Sequence, residues 1–109
     1  MGLPAIGTIA FVNFPFADLK NYKPRPAVVV AYSSLDTVIL CQITSRKLPQ
    51  VPVIELTMND FEKGSLPIKS YVRPDKLFTV DYSAVKNVLG QLKPSKVNQI
   101  RHRIRQLFS

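Results

Sequence analysis

Two short apolar runs separated by a polar turn constrain the fold of this chain more than any other feature. The runs are Ala27-Val28-Val29-Val30 and Val38-Ile39-Leu40-Cys41-Gln42-Ile43, and Ser33-Ser34-Leu35-Asp36 lies between them. Each run has the length and the β-branched content of a strand, and the short turn predicts a hairpin. Because the first run is almost continuously apolar, we expect its strand to be buried on both faces.

The polar ends of this hairpin carry the groups that could bind an anion. Lys23-Pro24-Arg25-Pro26 leads into the first run, and Thr44-Ser45-Arg46-Lys47 follows the second. In an antiparallel pair, the start of one strand lies beside the end of the other. We therefore expect one rim to contain Arg25, Thr44, Ser45 and Arg46. A guanidinium, two hydroxyls and further positive charge at one place would suit a phosphodiester.

The rest of the chain predicts several more short strands. They cover residues 7–14, 51–56, 68–72 and 77–80, while 88–92 is ambiguous. Pro52 confines the second of them to an edge of the sheet or to the start of the strand. Residues 57–64 predict one helical turn ended by Gly64, and Asp81 suits the N-cap of a brief helical segment.

The last element is a predicted amphipathic helix. Pro94 suits its first turn. At helical spacing, one side of this segment forms an apolar stripe that consists of Val97, Ile100, Ile104, Leu107 and Phe108. The side chains off that stripe are Arg101, His102, Arg103 and Arg105. We expect a single domain over residues 1–109, mainly β, in which a small SH3-like β-barrel of five to seven strands carries this C-terminal helix.

The amino-acid composition limits the kinds of molecule that this chain is expected to bind. The net charge is +8, from 15 Lys and Arg against 7 Asp and Glu, and no acidic residue follows Asp81. A charge of this size favours a polyanionic partner, nucleic acid or an acidic protein, over a merely solubilising surface. No apolar run reaches about 18 residues and no signal peptide is visible, so we expect no membrane span and a cytoplasmic location.

Metal and thiol chemistry are disfavoured by the same composition. The chain has one cysteine, Cys41, and one histidine, His102. Cys41 lies within an apolar run, where a buried structural thiol is the better interpretation than a nucleophile. His102 lies among arginines on the last helix, which is typical of a solvated side chain. We therefore expect no metal site and no cofactor.

Five segments together resemble one protein family over nearly the whole chain. They are Gly7-Thr8-Ile9 leading into Asn13-Phe14-Pro15-Phe16, Arg25-Pro26-Ala27-Val28-Val29-Val30, Ile43-Thr44-Ser45, Tyr71-Val72-Arg73-Pro74-Asp75-Lys76-Leu77 and Val88-Leu89-Gly90-Gln91-Leu92. Their order and spacing are similar to those of the MazF/PemK toxins of bacterial type II toxin–antitoxin systems, in the Kid group. The family usually has Gly-Asp where this chain has Gly7-Thr8, and often Asp-Phe in place of Asn13-Phe14. These departures prevent any transfer of base preference.

The resemblance implies a homodimeric barrel that cuts single-stranded RNA without a metal. Metal-free cleavage uses the 2′-hydroxyl as the nucleophile and leaves a 2′,3′-cyclic phosphate. An acidic cognate antitoxin would wrap the toxin and block its cleft. The expected partners are therefore messenger RNA, an antitoxin and a second copy of the chain.

The resemblance also places cleavage residues at Arg25 and Thr44. The planar guanidinium of Arg25 matches two phosphate oxygens at once, and the Thr44 hydroxyl can donate to the same oxyanion. The alternatives are a surface arginine in a salt bridge and a strand-end hydroxyl bonded to the backbone.

A second candidate pair comes from the match to Val-Arg-x-Asp of the Kid group. There the aspartate is assigned as base and the arginine as acid, roles that would fall on Asp75 and Arg73. A carboxylate needs an unusual setting to accept a proton at neutral pH. The alternative is that the two residues pair with each other and hold the floor of the barrel. The expected RNA-backbone contacts are Lys23, Ser45, Arg46 and Lys47, for which a solvated loop is the alternative.

Two other functions remain possible from the sequence. One is a protein-binding toxin on the same fold, such as the gyrase poison CcdB, which acts through a terminal Trp-Gly-Ile. This chain ends in Gln106-Leu107-Phe108-Ser109 and has no tryptophan, which argues against that function. The other is a non-catalytic barrel that binds RNA or protein, because Arg25 and Thr44 could hold a phosphate without cutting it.

Overall fold

The computed structural model describes residues 3–13, 24–47 and 49–109. Within them seven strands precede one α-helix. The strands are β1 (Thr8–Asn13), β2 (Pro24–Tyr32), β3 (Thr37–Thr44), β4 (Ile54–Leu56), β5 (Phe61–Gly64), β6 (Ser70–Asp81) and β7 (Lys86–Leu92), and the helix is α1 (Pro94–Gln106). Two single 3-10 turns, Met58–Asp60 and Tyr82–Ala84, join β4 to β5 and β6 to β7. Among these residues no helix is long and apolar enough to cross a membrane.

The seven strands form one antiparallel sheet in the order β4-β6-β3-β2-β1-β7-β5. Its two edge strands, β4 and β5, are consecutive in the chain and are separated by a single 3-10 turn, so the sheet must curl to bring its edges together. The predicted small barrel with a C-terminal helix is confirmed as a curled half-barrel. Pro52 precedes β4, which is an edge strand as expected.

Each face of the central strands carries its own apolar cluster. The helix face, defined here as the side packed against α1, includes Val28, Val30, Cys41, Ile43 and Val72 together with Val97 and Ile100 of the helix. The opposite face includes Val12, Ala27, Val29, Val38, Leu40 and Phe78. Residues 27–30 are all buried, which confirms that the first apolar run is covered on both sides.

Strand β6 departs from the sequence prediction. Residues 68–72 and 77–80 were expected to form two strands because prolines lie before and between them, but the structure has one strand, Ser70–Asp81. Cys41 pairs with Leu77 while the next residue, Gln42, pairs with Arg73. The three residues 74–76 therefore bulge out of the ladder, where a proline loses no hydrogen bond.

Part of the prediction for residues 57–64, which follow β4, is also wrong. A short helical turn forms at Met58–Asp60, but Gly64 ends a strand rather than a helix. Gly64 has a φ of 71°, and a side chain there would collide with the carbonyl oxygen of Leu89 on β7. The glycine that suggested a helix end instead adopts a positive φ and allows β5 to approach β7 closely.

Helix α1 begins at Pro94 as predicted, and Val97 and Ile100 are buried. The stripe does not stay buried to its end, because α1 stops at Gln106 and the side chains of Leu107 and Phe108 are 45% and 79% exposed.

An ion pair near its start ties the helix to the sheet. Lys96 Nζ lies 3.4 Å from Asp60 Oδ2, which also accepts hydrogen bonds from the backbone N–H and the hydroxyl of Thr57. Burial raises the pKa of Asp60, but these hydrogen bonds and the Lys96 charge outweigh it, so the pKa lies below its ordinary value.

Candidate active site

The register of the central hairpin brings its two polar ends together. Ala27 pairs with Gln42, and the same register carried two residues further sets Arg25 opposite Thr44. Arg25 also pairs with Val12 of β1 on its other side. One cavity of about 170 Å³ at the end of these strands is lined by Arg25, Thr44 and Ser45 together. The structure thus brings these three predicted residues to one rim.

Thr44 ends β3, and its hydroxyl is already engaged. Its Oγ1 accepts a hydrogen bond of 3.1 Å from the backbone N–H of Arg46. This is the backbone contact weighed as the alternative role, yet it uses only an acceptor lone pair of the hydroxyl. The hydroxyl proton remains available for a ligand, and the bond fixes the oxygen at the rim. Arg46 is therefore adjacent to the rim.

Arg25 is exposed and sits between two prolines in the first residues of β2. In the described parts of the chain no carboxylate lies within salt-bridge distance of its guanidinium. The alternative considered from the sequence was a surface arginine in a salt bridge. The described residues form no such salt bridge with Arg25. Among the described residues no ion pair occupies its five N–H donors, which can therefore bind an anion.

Arg73 and Asp75 are in the opposite situation, because they bind each other. Arg73 Nη2 donates to Asp75 Oδ2 at 2.6 Å and Nε donates to Oδ1 at 3.2 Å. The side chains of Arg73 and Asp75 are only 14% and 32% exposed. Asp75 lies in the β6 bulge, whose unpaired backbone allows the carboxylate to turn back onto Arg73.

The pair lies beside the rim rather than in its cavity. Arg73 is paired with Gln42, two residues from Thr44 on β3. Side chains two apart on a strand, and side chains directly opposite across strands, share a face of the sheet. Thr44, Arg73 and, by the same rule, Arg25 therefore lie on the face opposite α1. Three of the four expected cleavage residues thus share this face, and the fourth, Asp75, is bound to Arg73.

The predicted RNA contacts are only partly described by the structure. Ser45 lines the cavity, and Arg46 and Lys47 follow it as exposed residues. Lys23 lies outside the described residues. His102 is exposed on α1, as expected.

Cys41 and the acidic residues supply no competing chemistry in the described chain. Burial, with a smaller contribution from the negative charge of Asp75, raises the pKa of Cys41 to about 12. The thiol is fully buried and stays protonated at neutral pH, so it is no nucleophile. Among residues 3–13, 24–47 and 49–109 no three His, Cys, Asp or Glu side chains are grouped to hold a metal ion.

Sequence reasoning missed the apolar walls of the cavity. They come from Phe11, Pro26 and Ile43 on the strands and from Leu66, Pro67 and Ile68 in the segment before β6. No spacing or motif connects residue 11 with residues 66–68. The only available signal is Ile68 itself, an apolar residue beside a proline and a lysine whose side chain proves to be 64% exposed.

Comparisons with known proteins identify the family of this chain. A family model described as PemK-like, MazF-like toxin of type II toxin–antitoxin system matches residues 5–108. Comparison with curated proteins by sequence found no match.

Three solved structures resemble the fold. A MazF structure from Deinococcus radiodurans is 20% identical, with a TM-score of 0.72 over 97% of this chain and 96% of that one. A MazE–MazF structure from the same organism is 18% identical, with a TM-score of 0.73 over 97% and 96%. An endoribonuclease in complex with its cognate antitoxin, from a mycobacterial species, is 18% identical, with a TM-score of 0.67 over 97% and 93%.

Proposed function

This chain belongs to the PemK-like, MazF-like toxins of type II toxin–antitoxin systems, and we propose that it is a metal-independent endoribonuclease that cuts single-stranded RNA to stop translation and growth. The observation that carries this proposal is the rim where Arg25, which has no carboxylate partner among the described residues, lines one cavity together with Thr44 and Ser45. The net charge of +8 suits a polyanionic substrate.

Arg25 and Thr44 stabilise the charge that develops during cleavage. As the 2′-oxygen attacks the neighbouring phosphorus, negative charge builds on the non-bridging oxygens. The bond from phosphorus to the 5′-oxygen then breaks, and that oxygen takes up a proton from water. The guanidinium donates to these oxygens in its planar fork, and the Thr44 hydroxyl adds a further donor. Both groups are fixed beforehand, Arg25 by flanking prolines and Thr44 by its bond from Arg46, so little order is lost on binding.

Asp75 accepts the proton of the 2′-hydroxyl, and Arg73 holds it for that task. A carboxylate has about four lone-pair positions, and Arg73 occupies one on each oxygen. The remaining positions can receive a proton. The guanidinium of Arg73 also adds positive charge on the face that carries Thr44. Ser45, Arg46 and Lys47, with Lys23, contact the RNA backbone on either side of the cleaved phosphate.

Two protein partners accompany this function. An acidic antitoxin would bind the basic toxin, and one solved structure of the same fold is an endoribonuclease in complex with its cognate antitoxin. A second copy of the chain would cover apolar side chains that the monomer leaves exposed, such as Met58 and Phe108. Light scattering of the purified protein tests the dimer, and a persistent monomer at micromolar concentration would contradict it.

The test of the activity is end mapping after incubation with a long mixed-sequence RNA in EDTA. We expect discrete cuts that leave 2′,3′-cyclic phosphate ends. Thr44→Val removes the hydroxyl and should slow cleavage about 10- to 100-fold, whereas Thr44→Ser keeps it and should stay close to wild type. Intact RNA from a well-folded protein would overturn the proposal in favour of a binding toxin, which would then be examined against gyrase.

A further inference from the structure

We propose that the hydroxyl of Tyr71 is a third hydrogen-bond donor to the cleaved phosphate, beside Arg25 and Thr44. This inference rests on the proposed endoribonuclease function and adds one catalytic residue to it. The sequence patterns assigned no role in cleavage to this tyrosine. Its position in the sheet, its burial and its unbonded hydroxyl together point to that role.

The strand pairing sets Tyr71 in one row with the two expected cleavage residues. Thr44 of β3 pairs with Tyr71 of β6, and the register of the central hairpin sets Arg25 of β2 opposite Thr44 on the other side. Because neighbouring strands lie about 4.8 Å apart, the backbone of Tyr71 is about 10 Å from that of Arg25, with Thr44 between them. Residues directly opposite each other share a face of the sheet. All three side chains therefore project from the face opposite α1.

Tyr71 combines a covered ring with an unbonded hydroxyl. The residue is only 9% exposed, yet it belongs to neither of the two apolar clusters of the described chain. Among the described residues its hydroxyl makes no hydrogen bond. Every buried side-chain nitrogen or oxygen of those residues has a partner, so this hydroxyl must reach solvent. A covered tyrosine usually gives its O–H to the protein, and this one keeps it for a ligand.

The acidic neighbour of Tyr71 is held by a lysine. Glu55 of β4 pairs with Tyr71 on the side away from Thr44. Its Oε2 lies 3.3 Å from Lys69 Nζ. The lysine charge therefore offsets the carboxylate that would otherwise repel a phosphate beside Tyr71. The Tyr71 hydroxyl also remains without a carboxylate acceptor in the protein.

The different lengths of the three side chains suit one phosphate. The Thr44 hydroxyl lies close to the sheet, whereas the phenol carries its hydroxyl further from the backbone. A phosphate above Thr44 would meet the Arg25 guanidinium on one side and the Tyr71 hydroxyl on the other. A hydrogen bond to a charged acceptor is stronger than one to a neutral acceptor, so the Tyr71 bond strengthens as negative charge builds on the phosphate oxygens.

Tyr71→Phe tests this role because it removes one oxygen and keeps the covered ring. Tyr82→Phe is the matched control, since Tyr82 is half-buried and lies in the turn at the far end of β6. We expect Tyr71→Phe to lower kcat on RNA with mapped cut sites about 10- to 100-fold, with little change in KM. Tyr82→Phe should cleave like the wild type. Both variants should unfold at the urea concentration of the wild type, which separates a lost donor from a damaged fold.

Phosphorothioate RNA identifies the atom that Tyr71 contacts. Sulfur is a weak hydrogen-bond acceptor. Sulfur in place of the non-bridging oxygen that accepts from Tyr71 should therefore abolish the difference between Tyr71→Phe and the wild type. With sulfur in place of the other non-bridging oxygen, the difference should persist.

Two results would overturn the role of Tyr71 while leaving the proposed function intact. One is an equal kcat of Tyr71→Phe and Tyr82→Phe on unmodified RNA. The other is a Tyr71→Phe loss of the same size on unmodified RNA and on both phosphorothioate diastereomers. If the wild type cuts no RNA, the proposed function itself fails and the role of Tyr71 with it.

Discussion

Arg25 and Arg73 lie on the same face of the same sheet, two strands apart, and the structure uses them differently. Arg25 is exposed at the start of β2 and has no carboxylate partner in the described chain. Arg73 is mostly covered in the middle of the sheet and gives two hydrogen bonds to Asp75. A guanidinium without a carboxylate partner can bind the phosphate of a ligand. A guanidinium that already donates to a carboxylate is better suited to positioning that side chain.

This difference teaches that burial decides how an arginine is used. An exposed guanidinium keeps its hydrating water and gives it up only to a ligand. A covered guanidinium must find a partner within the protein, because an unpaired buried charge is strongly destabilising. The bulge at residues 74–76 brings such a partner within reach of Arg73.

Replacing Arg25 and Arg73 by alanine, one at a time, should distinguish their two roles. The loss of cleavage in these variants is the largest effect that we expect. Arg25→Ala should slow cleavage about 1,000-fold and leave the free energy of unfolding within about 0.5 kcal/mol of wild type. Arg73→Ala should slow cleavage and also lower the free energy of unfolding by about 1–3 kcal/mol, since Asp75 loses both hydrogen bonds. Cleavage rates and urea unfolding measure the two quantities.

Arg105→Ala, which removes an exposed arginine on α1, is the control for this pair and should change neither quantity. Equal loss of stability in Arg25→Ala and Arg73→Ala would break the distinction between the two sites.

Asp75→Asn should slow cleavage about 100-fold, because an amide can no longer accept the proton of the 2′-hydroxyl. Its oxygen can still accept one bond from Arg73, so the loss of stability should be smaller than in Arg73→Ala. The cleavage rate at pH 7 and the free energy of unfolding are measured for both proteins. Asp81→Asn is the matched control, since Asp81 only caps the turn at Tyr82–Ala84 through the Ser83 N–H. An Asp75→Asn cleavage rate close to wild type would reduce Asp75 to a positioning residue for Arg73.

Removing Arg46 and Lys47 together should weaken RNA binding about 10-fold at moderate salt and should flatten its salt dependence. Each lost phosphate contact lowers the slope of log K against log salt by about 0.7 for a single strand. Binding is measured with RNA methylated at the 2′-oxygens, which cannot be cut. The Arg103→Ala/Arg105→Ala double variant on α1 carries the same charge change and should keep the wild-type slope. An equal decrease of the salt dependence in both variants would mean that RNA binding depends on the net charge of the protein and not on contacts at Arg46 and Lys47.

The smallest effect is expected for the ion pair between Asp60 and Lys96, which ties helix α1 to the sheet and lies away from the site. Because the pKa of Asp60 is lowered in the folded state, its contribution to stability is present above the ordinary aspartate pKa of about 3.9 and disappears as pH falls through the folded value. Asp60→Asn should lower the free energy of unfolding by about 0.5–1 kcal/mol at pH 7 and by less at pH 3. RNA cleavage at pH 7 should not change. A loss that grows toward acid would contradict the lowered pKa.

The sequence by itself determined the local features of this protein. The hairpin follows from two apolar runs and a short turn, and the hairpin register places Arg25 near Thr44 because only adjacent strands are involved. The helix start at Pro94 and the cap at Asp81 depend on groups within a few residues. The family resemblance rests on similar short segments in a fixed order and agrees with the match over residues 5–108.

Tertiary structure alone decided the features that join distant parts of the chain. Strand β6 runs through Pro74 because its partner β3 tolerates a bulge there, which no local propensity predicts. The bond between Arg73 and Asp75 depends on that bulge. The cavity joins Phe11 to Ile68 only after the sheet has curled, and the last apolar residues of the helix stripe stay exposed because the helix ends first. Local patterns encode backbone conformation and hydrogen-bonding register, whereas a pocket between distant segments exists only once the chain has packed.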